Sequence, residues 1–183
     1  IVIISILSQE LDNLMQEISK INGFENKKYC LAMKGVEEKT GRLLSEIMMD
    51  YGVNKKNIAI LAGPGQPDSI IENKKINKMV VSAYDFNFAK EIAGIIKTEN
   101  FKLYPWPDVK GCELCGASKN PYSIIGGMCE GADQKTLKGQ IMSVSMHEMQ
   151  NYLKAMQCNP ETVMHMALLA DYNATLYDPV SHN

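Results

Sequence analysis

The chain has 183 residues, 45% hydrophobic and 22% charged, with a net charge of −2. That composition supports a globular core and supplies no basic stripe for nucleic acid. No apolar run reaches the roughly 20 residues that span a bilayer, and Ile1-Val2-Ile3-Ile4-Ser5-Ile6 is too short for a signal peptide.

The opening run reads as a buried strand over 1–6, followed by a helix over 10–20 with Leu11, Leu14, Ile18 and Ile21 on one face. Tyr29–Met33 reads as the next strand. Thr40 is expected to cap a helix through Leu43, Leu44, Ile47 and Met48. Ile58–Leu61 and Met79–Ser82 are further strands, the first closed by Gly63-Pro64-Gly65. Phe86–Ile96 reads as a helix and Phe101–Tyr104 as the last strand. Such alternation predicts an α/β sheet with parallel members.

Pro105-Trp106-Pro107 is expected to end that regime. Beyond it only helical periodicity remains, over about 109–129, 136–156 and 160–170, the last opened by Asn159-Pro160. The expected boundary lies near 105, dividing an α/β part (1–105) from a helical part (106–183).

The five cysteines are Cys30, Cys112, Cys115, Cys129 and Cys158. An odd count without a regular framework suggests free thiols in a reducing, intracellular compartment. The cytoplasm is the plainest setting, and an organelle also fits. Cys112-x-x-Cys115 lacks the partners of a zinc site, so it reads as two small residues stacked on one helix face and no metal is expected. The twelve methionines read as soft core filling. His147 and His165 read as surface or satisfied core histidines.

The stretch richest in information is Gly116-Ala117-Ser118-Lys119-Asn120, preceded by Asp108-Val109-Lys110-Gly111-Cys112-Glu113-Leu114-Cys115. Together these residues resemble the signature of NAD-dependent glycerol-3-phosphate dehydrogenases, D-V-x-G-x-E-x-x-G-A-x-K-N, at every fixed letter. Ser8-Gln9 resembles the family's P-S-Q step with Leu7 for proline, Met33-Lys34-Gly35-Val36 its K-G motif, and Leu61-Ala62-Gly63-Pro64 its L-S-G-P turn. Glu148-Met149 fits a later E-M, and Ala170-Asp171-Tyr172-Asn173-Ala174-Thr175, ending in His182-Asn183, is similar to G-D-L-x-x-T…R-N.

The resemblance implies the second half of a Rossmann-like nucleotide-binding domain followed by a partial all-helical domain. It implies interconversion of dihydroxyacetone phosphate and sn-glycerol 3-phosphate, with NAD or NADP. Lys34 and Lys119 would polarise the carbonyl, Lys119 acting as general acid, with Asp171 holding that lysine's charge and position. Asn120, Thr175, His182 and Asn183 would bind substrate; Ser8, Gln9, Gly63 and Pro64 would lie along the cofactor. Taken alone, Lys34 would be an ordinary exposed lysine; its joint occurrence with the other matched positions changes that reading.

The chain also departs from the family pattern. It has no G-x-G-x-x-G loop, and it is expected to be an internal piece of a longer protein. His182 stands for an arginine, Val144 for another, and Gly65 for a serine, while Ala132-Asp133-Gln134-Lys135-Thr136 lacks the family's Asp-Asn pair. An alternative is therefore a non-catalytic relative serving as a structural or interaction subunit in a larger assembly; a homodimer is equally open.

Overall fold

The computed structural model describes residues 1–65 and 76–177. Five short strands form one sheet in the order β1 (Val2–Ile4), β2 (Tyr29–Leu31), β3 (Ile58–Ala62), β4 (Asn77–Ala83), β5 (Phe101–Trp106). The first three pair in parallel, with Tyr29 opposite Val2 and Ile58 opposite Tyr29. β4 runs antiparallel to β3, with Ala62 opposite Val80, and β5 is parallel to β4. The alternation pattern does not reveal this reversal, because a strand buried on both faces reads alike in either direction.

Period-two geometry sends alternate side chains to opposite faces. Cys30, Ala59, Val81 and Leu103 meet α3 (Phe86–Ile96) through Phe88, Ala89 and Ile92. Tyr29, Leu31, Ile58, Ile60 and Val80 face the larger core. That core takes Leu11 and Met15 of α1 (Leu11–Ile18) and Leu44, Ile47 and Met48 of α2 (Leu44–Asp50). It continues without a break into the later helices through Val109, Cys112, Met149, Leu168 and Tyr172.

Those helices are α4 (Val109–Gly131), α5 (Lys135–Ala155) and α6 (Asp171–Tyr177). Asp108 caps α4, its Oδ1 accepting from the Gly111 amide at 3.0 Å, while Oδ2 accepts from Thr162 Oγ1 at 2.6 Å and the Asn159 amide at 3.1 Å. One carboxylate thus starts a helix and pins the chain fifty residues on.

Several expectations need correction. Thr40 does not cap α2; its hydroxyl bonds Glu37, and the helix begins after Leu43, whose amide donates to Glu46 Oε2 at 2.9 Å. Pro105 and Trp106 belong to β5, where an edge position tolerates the missing N–H. The expected helix over 160–170 is instead a 3-10 segment (Pro160–Met164) and a π-helical turn (Met166–Ala170), broken at His165, whose backbone is extended. Pro121 lies inside α4, so the Ala117 carbonyl lacks its usual helical donor. His147 is exposed, as a surface histidine would be. His165 is not satisfied: it stacks on Trp106 with ring centroids 4.5 Å apart, and its buried Nδ1 has no hydrogen-bond partner among the described residues. Burial lowers its pKa.

Candidate functional site

The carboxyl ends of β1, β2 and β3 lie at one edge of the sheet, the place where ligands settle in open α/β folds. Lys34 follows β2 there. Gly35 has φ +131°, and a Cβ on it would meet Ser8 Oγ at 2.8 Å, so the turn after Lys34 requires glycine. Gln9 holds the same loop from outside: its amide nitrogen donates to Val36 O at 2.9 Å, and its oxygen accepts from the Glu38 amide at 2.9 Å. Both polar ends of Gln9 are therefore engaged in shaping the lysine loop.

Lys34 Nζ donates to Asp171 Oδ2 and, at 3.1 Å, to the Gly63 carbonyl. Lys119, on α4, donates to Thr175 Oγ1 at 2.7 Å and lies 3.4 Å from Asp171 Oδ1. Thr175 Oγ1 in turn donates to the Asp171 carbonyl at 2.8 Å. The Asp171 side chain is only 4% exposed, whereas that of Lys34 is 32% exposed. Two ammonium groups far apart in the sequence thus share one buried carboxylate. Burial lowers the Lys34 pKa, Asp171 acts to raise it, and Lys119 adds to the lowering. Gly116 lies against the Lys34 stem; a Cβ there would sit 3.6 Å from Lys34 Cγ, so α4 approaches this lysine closely.

Of the residues expected from sequence, Lys34, Lys119, Asp171, Thr175 and Gly63 meet directly. Ser8 packs on Gly35, Pro64 follows Gly63, and Asn120 is exposed on α4. His182 and Asn183 lie outside the described residues. Cys112 and Cys115 are buried free thiols whose pKa values are raised by burial. No group of three His, Cys, Asp or Glu among the described residues is arranged to hold a metal ion.

Three supports were not singled out from sequence. The π-helical turn leads straight into Asp171 and sets its register; such turns cluster at functional sites. Lys138, buried, donates to Glu130 at 2.7 Å and to the Leu176 carbonyl at 3.1 Å, anchoring the end of α6. Glu113 is buried on α4 and accepts from the Ser45 amide at 2.9 Å and the Ser45 hydroxyl at 2.5 Å. No local pattern marks Lys138, but Glu113 was visible as an acidic residue on an otherwise small and apolar helix face.

Burial raises the Glu113 pKa to about 7 against the Ser45 hydrogen bonds that act to lower it. The folded protein then keeps a proton on this group to higher pH than the unfolded chain does. Its stabilising contribution is full below about pH 4.5 and is lost as the pH rises through about 7. Glu113→Gln, which keeps the shape without the charge, is expected to match wild type near pH 4.5 and exceed it by up to about 3 kcal/mol at pH 8. Urea denaturation at the two pH values measures this; an equal offset at both would contradict it.

Family models match almost the whole chain. The model described as NAD-dependent glycerol-3-phosphate dehydrogenase N-terminus covers residues 1–93, and its C-terminal counterpart covers 108–183. The chain belongs to the NAD-dependent glycerol-3-phosphate dehydrogenase family. It is 33% identical over 158 residues to a glycerol-3-phosphate dehydrogenase (NAD(P)+) of Chlamydia pneumoniae, covering 85% of this chain and 47% of that protein. The corresponding protein of Chlamydia abortus is 31% identical over the same shares.

Among solved structures of the family, glycerol-3-phosphate dehydrogenase from Coxiella burnetii superposes with a TM-score of 0.88 at 21% identity, over 98% of this chain and 54% of that one. The Plasmodium falciparum glycerol-3-phosphate dehydrogenase gives 0.87 at 19% identity, over 96% and 50%. The fold is the Rossmann-like sheet with a helical C-terminal domain. The chain spans about half the length of the curated family relatives it matches. No helix among the described residues is long and apolar enough to cross a membrane.

Proposed function

We propose that the full-length protein interconverts dihydroxyacetone phosphate and sn-glycerol 3-phosphate by hydride transfer with NAD or NADP. The observation that carries this is the pair of ammonium groups on one buried carboxylate. An ammonium has three N–H donors. Lys34 directs two at Asp171 and the Gly63 carbonyl, and Lys119 directs one at Thr175 while lying 3.4 Å from Asp171 as an ion pair. At least one donor on each lysine is left for a carbonyl oxygen, and the trio carries a net positive charge suited to an oxygen becoming an alkoxide.

In this reading Lys119 delivers the proton and Lys34 polarises the same oxygen, while Asp171 fixes both. The bound nicotinamide cofactor supplies or accepts the hydride. Ser8, Gly63 and Pro64 stand at the strand ends where a dinucleotide would lie, and Gln9 acts there through the loop it holds. They fit contact with the cofactor but offer no glycine-rich cradle for a pyrophosphate. Asn120, Thr175 and the terminal His182 and Asn183 are assigned to the substrate phosphate. Residues 1–105 and 106–183 are taken as parts of two domains, and the buried free thiols favour a cytoplasmic setting.

His182 and Val144, where the resemblance calls for arginines, favour the second reading of a non-catalytic relative. An imidazole lacks the bidentate fork that grips phosphate. One lost charge-assisted contact is worth roughly 1.5–3 kcal/mol. His182→Arg is therefore expected to raise kcat/KM for dihydroxyacetone phosphate about tenfold or more in steady-state assays of the full-length protein. Absence of both dinucleotide binding and turnover in that protein would decide for the non-catalytic reading.

A further inference from the structure

We propose that Glu113 is a positioning residue that sets the separation of the Lys34 and Lys119 ammonium groups; this rests on the reading of those lysines as the pair that polarises the substrate carbonyl. A helix start is ordinarily capped by a polar side chain at its own N-terminus. In α2 that position is Leu43, which has no acceptor. The cap comes instead from Glu113, 68 residues further along the chain, which accepts from the Ser45 amide and hydroxyl. Tyr84 OH lies 3.2 Å from the Ser45 hydroxyl. Capping from afar joins α4 to the sheet part at one fixed point.

That point is mechanically connected to both lysines. The loop that leaves β2 at Lys34 returns to α2 at Leu43, and its two arms are bridged by the antiparallel pairing of Val36 with Leu43. The Glu37 amide donates to the Arg42 carbonyl at 2.9 Å within the same loop. Fixing Ser45 at the start of α2 therefore holds Leu43 and, through the bridge, Val36, two residues from Lys34. On the other side, Glu113 and Lys119 ride on one helix, six residues or about 9 Å apart along its axis. Between them Gly116 lies against the Lys34 stem. A small cavity of about 10 Å³ is lined by Lys34, Leu44, Cys112, Glu113 and Gly116, and no hydrogen bond or ion pair joins Glu113 to Lys34. Glu113 thus acts on Lys34 through the loop rather than by touching it.

The test uses the full-length protein with Glu113→Ala, which removes the acceptor, and Glu113→Gln, whose oxygen still accepts from the Ser45 amide while its NH2 donates to the Ser45 hydroxyl in a reversed second bond. Glu113→Ala is expected to lower kcat at least tenfold while the KM for the nicotinamide cofactor stays within twofold. Glu113→Gln is expected to restore kcat to within threefold of wild type. A second readout does not need turnover: lysines are dimethylated with carbon-13, the Lys34 signal is assigned by its loss in Lys34→Arg, and its titration is followed by NMR. Its midpoint should move by at least about half a pH unit in Glu113→Ala and return in Glu113→Gln.

If Glu113→Ala does not fold, Ser45→Ala removes one donor and should lower kcat threefold or more, with the same Lys34 shift. A variant that melts earlier but keeps kcat and the Lys34 midpoint would make Glu113 a packing group and overturn the proposal. Should the wild-type protein not turn over, the proposed function fails separately. The Lys34 midpoint then decides alone, a shift supporting the positioning role and an unmoved midpoint overturning it.

Discussion

Replacing Lys119 by alanine in the full-length protein is expected to reduce turnover of dihydroxyacetone phosphate by about a thousandfold or more. Two losses combine: a positioned general acid contributes roughly 10²–10⁴, and one donor to a developing oxyanion roughly 10²–10³. The two are not additive when one group performs both. The fold should persist, because Lys34 keeps its bond to Asp171 and Thr175 keeps its bond to the Asp171 carbonyl. The loss should therefore fall on kcat, with a small change in melting temperature. A Lys119→Ala protein that turns over within tenfold of wild type would remove this lysine from the chemistry and with it the proposed site.

Asp171→Asn should damage both stability and activity. The carboxylate is almost wholly buried between two ammonium groups. Taking its charge away leaves both cations uncompensated, which costs about 3–5 kcal/mol for a buried pair. It also removes the attraction that opposes the burial-driven lowering of the Lys34 pKa. Lys34 should then lose its proton at lower pH, so the alkaline limb of the kcat/KM profile moves to lower pH. Urea denaturation measures the first effect and the pH–rate profile the second. Unchanged stability together with an unchanged alkaline limb would show that Asp171 does not hold these lysines.

Much of this was legible in the sequence, for identifiable reasons. Phe86–Ile96 carries its own cap, Asp85, and a clear apolar face, and the helix has those bounds. Lys34, Lys119 and Asp171 could be named together because each sits in a short motif with fixed neighbours, and the fold brings all three within reach of one another. The π-helical turn before Asp171 could not be read, since one extra residue per turn leaves no signature in a five-residue stretch. The reversal of β4 was hidden by two-sided burial. That the Gln9 side chain also closes the lysine loop could not be read, because its partners Val36 and Glu38 are remote in sequence. Glu113 could be seen but not interpreted, because its partner Ser45 is remote in sequence.

The reversed strand has a consequence for timing along the chain. Had β4 and β5 run with the first three strands, the sheet would have finished beside Lys34, and α4 would have travelled away from it. Because they run the other way, α4 departs from the far side and returns across the sheet. Lys119 comes ten residues after Val109, about 15 Å of helix; the five residues of β3 span roughly 17 Å. The near-equality makes α4 a ruler cut to the depth of the sheet. Adding one residue between Val109 and Gly116 would swing Lys119 by about 100° around the helix, away from Asp171, although every strand pairing of the sheet would remain.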